Sequence, residues 1–219
     1  MARAIVEIND DAIIFLSSSS SLILTNASCS LFPTLQVDFD QRKKMDIGND
    51  CLMSINGTDF RIPQTGAPVR GNSFASHKYA DKSALRYEIG VSILGGDLVW
   101  IQGPYPVGSF NDVKIFNKVL RHWLDPGKRV EADNGYVGCA DKVKCPDNPC
   151  NPPANERMQA RVRSRHKTIN GCFKTWGILS QVYCHDITCH GEVFWAIAIV
   201  TQLAIKNGSP LFQVNYRDY

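Results

Sequence analysis

Four positions carry residue types and spacings that suit carboxylate chemistry. Asn56 ends a short apolar run, Asp112 stands where a helical pattern begins, and Asp133 closes a later strand. Glu131 precedes Asp133 by two residues and so shares its strand face. Lys167, the fourth position, lies midway along a basic helical stretch. Acids at strand ends and helix starts are what two-metal phosphodiester chemistry needs. They hold Mg²⁺ or Mn²⁺ roughly 4 Å apart, one ion activating water and the other taking the leaving oxygen. Each residue also has a plain local role. Asp112, after Ser109 and Asn111, reads as a helix cap, and Asp133-Asn134-Gly135 as a turn. Asn56-Gly57 is a common turn dipeptide, and Lys167 by default is a solvated lysine.

The elements that must position these residues are legible in the hydrophobic pattern. Cys51 to Ile55 reads as a strand, and residues 63 to 84, rich in Gly, Pro, Ser and Lys, as a loop. Arg86 to Leu94 alternates, with Tyr87, Ile89, Val91 and Ile93 on one face and Arg86, Glu88, Gly90 and Ser92 on the other. Gly95-Gly96 predicts a two-residue turn into a partner strand from Leu98 to Ile101, giving an antiparallel sheet with one buried face. A helix follows over Asp112 to Leu124, its stripe made of Phe116, Val119, Leu120, Trp123 and Leu124, stopped by Asp125-Pro126-Gly127. Then come a strand over Lys128 to Ala132, a Cys- and Pro-rich insertion, a helix over Asn155 to Leu179, and a last helix from Gly191 to Lys206. Residues 1–45 have no clear period and read as a weakly organised arm; residues 46–219 form the ordered domain.

The helix over 155–179 is amphipathic in an unusual way. Met158, Val162, Ile169, Phe173 and Trp176 form one stripe, while Arg157, Arg161, Arg163, Arg165, Lys167 and Lys174 oppose the single acid Glu156. A face of that charge suits a polyanion, so Arg161, Arg163, Arg165 and Lys174 are expected to grip phosphates. The net charge of the whole chain is only +3, which confines the electrostatic argument to this face. The longest uninterrupted apolar run, Val193 to Val200, is too short to cross a bilayer and predicts a buried helix. Arg3 followed by Glu7, Asp10 and Asp11 makes a poor secretory signal, which favours an intracellular location. The eight cysteines include the clusters Cys139, Cys145, Cys150 and Cys184 to Cys189, but neither contains a CxxC, so free thiols are preferred over zinc.

The order strand, hairpin, helix, strand, helix, helix is that of a ribonuclease-H-like α/β domain, a mixed sheet flanked by helices. From about Asp46 to Tyr216 the chain resembles the DDE superfamily endonucleases, the catalytic domains of Harbinger/PIF-type transposases. The resemblance is carried by MSINGTDFRI (53–62), ALRYEIGV with VWIQGPYPVGSFNDVKIF (84–116), VEADNGYVG (130–138), RVRSRHKTINGCFKTWGIL (161–179) and HGEVFWAIAIVTQLAIKNGSPLFQVNY (190–216). It implies divalent-metal-dependent cutting and joining of DNA, with Asp112 and Asp133 as metal ligands for Mg²⁺ or Mn²⁺. It further implies DNA as partner, a separate DNA-reading region or protein, and a nuclear location. The chain departs from the family at two points: Asn56 stands where the family has its first Asp, and Lys167 where it has its Glu. An ammonium roughly 4 Å from a divalent ion is repelled by on the order of 8 kcal/mol at an effective dielectric near 20. The expectation is therefore an impaired nuclease, with Asp59 or Glu131 as substitute ligands in an active form, or else a DNA- or protein-binding remnant without chemistry.

Overall fold

Alternation along two neighbouring strands fixes the centre of the fold. The computed structural model describes residues 4–8, 12–16, 51–64, 73–93, 95–146, 156–208 and 210–211. Strands β3 (Cys51–Arg61) and β5 (Lys82–Ser92) pair antiparallel in unbroken register from Met53 opposite Ser92 to Arg61 opposite Ala84. On β5 lies β6 (Leu98–Pro106), also antiparallel, while the two-residue β4 (Ala75–Ser76) pairs with the start of β5. On the far edge of β3 run β7 (Arg129–Glu131) and β8 (Val143–Lys144), both parallel to it. The result is a mixed sheet ordered β6-β5-β3-β7-β8. Between β6 and β7 come helices α1 (Asp112–Lys118) and α2 (Leu120–Trp123); after β8 come α3 (Glu156–Lys174), α4 (Gly177–Ser180) and α5 (His190–Lys206). This is an α/β architecture. Within the arm, β1 (Ala4–Ile8) and β2 (Ala12–Leu16) make an antiparallel pair with a sheet of their own.

The sheet is covered on both faces, whereas the alternation predicted one. Phe60, Tyr87, Ile89 and Val91 pack with Ile169 and Phe173 of α3 and Phe194 and Ile197 of α5. Tyr87 and Phe194 stack with ring centroids 3.9 Å apart, and each fully buried aromatic of this kind contributes roughly 1.5–3 kcal/mol. Met53, Ile55, Val99 and Trp100 face the other way, onto Phe116, Leu120, Val130, Ala132 and Tyr136. The polar residues of β5 did not mark a wet face; Arg86 and Glu88 are enclosed there because each finds partners. Likewise Gly95-Gly96 is not a two-residue turn. It sits inside a wider loop closed by Ser92 N donating to Asp97 O at 2.8 Å and Gly96 N to Ser92 O at 3.0 Å.

The helices differ from their expected bounds for local reasons. The first breaks at Val119 (φ −133°, ψ −68°), which leaves Trp123 exposed and brings Ile115 into the core instead. The long basic helix stops at Lys174, where Trp176 N reaches back to Phe173 O. Val162, Ile169 and Phe173 are buried as their spacing predicts; Met158 falls outside the described side chains. The span Ile187–Lys206 is 20 residues long and apolar enough by composition to cross a membrane, more than the uninterrupted run suggested. Half of it is buried within the fold, and its polar members are housed there: Gln202 accepts from Leu98 N at 2.7 Å and donates to Asp97 at 2.6 Å. Among the described residues Cys139, Cys172, Cys184 and Cys189 are free cysteines.

Candidate functional site

Asp112 is not the cap of α1. Asn111 is: its side chain accepts from Lys114 N at 2.9 Å, so Asp112 becomes the first helical residue and its carboxylate is released toward the sheet. It arrives over two glycines. A Cβ at Gly57 on β3 would collide with Asp112 Oδ1, and one at Gly135 would lie 2.8 Å from Asp112 Oδ2 and 2.9 Å from Asp133 Oδ1. Both carboxylates thus converge on the Cα of Gly135, just past the end of β7. Asp133 also caps the turn Asn134–Tyr136, accepting from Gly135 N at 2.9 Å. Cap and convergence coexist because a carboxylate offers more lone pairs than one backbone donor uses.

A cation already sits beside this pair. Arg86 on β5 makes a bidentate bond to Asp59, Nε to Oδ1 at 2.7 Å and Nη2 to Oδ2 at 3.1 Å, and its Nη1 lies 3.2 Å from Asp112 Oδ1. Asp59 is buried and takes a further bond from Ser76 Oγ at 3.1 Å. Burial works against the charge on Arg86, but the Asp59 hydrogen bond and the fields of Asp112 and Asp59 outweigh it and hold the guanidinium ionised. The Asp112 contact is weaker: it has ion-pair distance without hydrogen-bond alignment, and among the described residues Asp112 Oδ1 is buried with no hydrogen-bond donor. Burial accordingly pushes the Asp112 carboxyl up to about 6; Arg86 pulls it down, Asp133 and Asp59 push it further up, and Lys78 pulls it down.

A second carboxylate lies behind the first. Glu88, next along β5 from Tyr87, accepts from Trp100 Nε1 at 3.0 Å and from the Tyr136 hydroxyl at 3.2 Å, and is 1% exposed. Burial raises it to about 8, the two hydrogen bonds pulling down and Asp112 pushing up. It is a neutral acid at pH 7.

The expected quartet is assembled only in part. Asp112 and Asp133 come together. Asn56 is the neighbour of Gly57, but strand alternation turns it to the opposite face, the one on which Ser54 meets His166 of α3 at 2.8 Å. Lys167 is exposed on α3, across the sheet from α1. Glu131 is buried in register with Ser54, so it belongs to the α3 face and not to the Asp112 cluster. What sequence reasoning missed is Arg86 and Glu88; the signal was the odd presence of two charged residues in an otherwise buried strand.

The cationic face of α3 is also smaller than expected. Arg161 and Lys174 are exposed, and Arg163 is half-buried with Nη1 enclosed. Arg165 must be withdrawn as a phosphate contact: it is 1% exposed and donates through Nη1 to Ser92 O at 2.9 Å and Ile93 O at 2.6 Å. It lies three residues after Val162 and four before Ile169, on the sheet-facing stripe, where its length lets it serve the carbonyls of the β5–β6 loop. His166 shares that side; burial lowers it to about 4.

Among the described residues no group of three or more His, Cys, Asp or Glu is placed to hold a metal ion. Asp59 is committed to a guanidinium, and Arg86 sets a positive charge 3.2 Å from Asp112 Oδ1. No family model, curated protein or solved structure matches the chain.

Proposed function

We propose that this chain is a ribonuclease-H-like domain of DDE-transposase descent that binds DNA without metal-dependent cleavage. The sheet order, with three antiparallel strands followed by two parallel ones, supports the ancestry, as does the meeting of Asp112 and Asp133 at the end of β7. The loss of chemistry rests on one observation: the Arg86 guanidinium lies between Asp59 and Asp112. A fixed cation there opposes a divalent ion as Lys167 was expected to, and from a position in contact with a candidate ligand. Asp112 and Asp133 remain as an acidic remnant whose charge Arg86 offsets.

Three measurements on the native chain test this. Calorimetric titration with Mn²⁺ should show no tight binding, and a supercoiled plasmid incubated with Mn²⁺ should stay closed. DNA binding by anisotropy should persist in EDTA. Tight uptake of two manganese ions, or nicking that disappears in Asp133→Ala, would reinstate a working nuclease.

A further inference from the structure

A cleft of about 270 Å³ opens between β4 and the start of α1. Its wall includes Lys78, Arg86 and Lys114, together with Ser76, Ser109 and Asn111. Arg86 is internally paired with Asp59 and Asp112, but Lys78 and Lys114 are exposed, one on the turn after β4 and one in the first turn of α1. The Lys114 ammonium donates to Ser109 O at 3.0 Å, which ties it to another residue of the cleft wall. The Ser109 hydroxyl and the Asn111 amide, with the Lys78 and Lys114 ammonium groups on the same wall, form a lining suited to a tetrahedral oxyanion, with the volume to take the adjoining sugar as well.

We propose that this cleft is a phosphate seat, occupied by a backbone phosphate of DNA. The DNA source rests on the function proposed above; the phosphate chemistry does not. Seated there, a phosphate lies beside Arg86 and hence close to Asp112. DNA is then held at the β4–α1 rim of the sheet and not chiefly along α3, whose positive face lost Arg165 to the core.

The test uses the full chain and four proteins: native, Lys78→Gln, Lys114→Gln and Arg161→Gln, the last on the exposed face of α3. Anisotropy with a labelled 20-base-pair duplex is read across salt concentrations, and calorimetry is run with inorganic phosphate. Each cleft variant is expected to weaken the duplex about 3- to 10-fold at low salt and to reduce the salt slope by about one, with weaker phosphate binding in parallel. Among the described residues the Lys78 side chain makes no hydrogen bond that α1 or β4 depends on, so Lys78→Gln separates binding from folding, with circular dichroism as the check. Duplex affinity that falls in Arg161→Gln but not in either cleft variant overturns the seat while leaving DNA binding intact. Phosphate binding lost in Lys78→Gln, in a chain with no duplex affinity, keeps the seat, assigns it to free phosphate, and removes the DNA reading instead.

Discussion

Glu88 offers the sharpest physical test of the buried site. Its carboxyl titrates near 8 in the fold against 4.5 for the free side chain. The folded chain therefore holds a proton at Glu88 that the unfolded chain has released over that interval. The stability this proton confers is fully present below pH 4.5 and is lost as pH rises through 8. Each unit crossed is worth 1.36 kcal/mol, so the ledger runs to about 5 kcal/mol in all and about 3 kcal/mol already at pH 7. Glu88→Gln removes the titration while keeping one oxygen for Trp100 Nε1 and an amide that can donate to the Tyr136 oxygen. An imperfect amide fit costs roughly 1 kcal/mol, leaving the variant about 2 kcal/mol more stable than native at pH 7 and no more stable at pH 5. Urea unfolding followed by tryptophan fluorescence, from pH 5 to pH 9, measures this directly. If the two proteins run parallel across that range, Glu88 is not a buried neutral acid and the enclosed face of β5 has been misjudged.

Three further outcomes follow from the same geometry. Arg86→Gln strands the buried Asp59 carboxylate and should cost about 3–5 kcal/mol, whereas Asp59→Asn combined with Arg86→Gln should cost clearly less than the sum of the two; equal additivity in a double-mutant cycle would show the pair is not coupled. His166 and His190 are each lowered to about 4 by burial, so the unfolded chain takes up protons at these sites first as pH drops. Stability is then lost from about pH 7 down to about pH 4, up to about 3 kcal/mol per histidine, and His166→Gln should make the melting temperature fall less steeply over that window. Gly57→Ala places a methyl group against Asp112 Oδ1 and should destabilise by about 1–3 kcal/mol while driving Asp112 out of the cluster; a crystal structure of the variant with Asp112 unmoved would refute the close approach.

How much of this was written in the sequence can be judged residue by residue. The alternation of Tyr87, Ile89 and Val91 predicted β5, the stripe of Val162, Ile169 and Phe173 predicted α3, and Asp112 and Asp133 were expected to meet, as they do. Periodicity is a property of the local chain, and it is enough to say which side chains leave water together. It cannot say what covers the second face of a sheet. That is why Arg86 and Glu88 read as solvated when tertiary packing had enclosed them with Asp59, Trp100 and Tyr136.

Charge misled for the same reason. Counting arginines along a helix gave a basic face, but only the placement of α3 beside the β5–β6 loop decided that Arg165 would spend its donors on Ser92 and Ile93. The linear order of the elements determined an α/β domain with acids at two strand and helix ends. Which acids would share a site, and that a guanidinium would stand among them, depended on strand register and on which face each residue was turned to, quantities fixed only when distant segments pair.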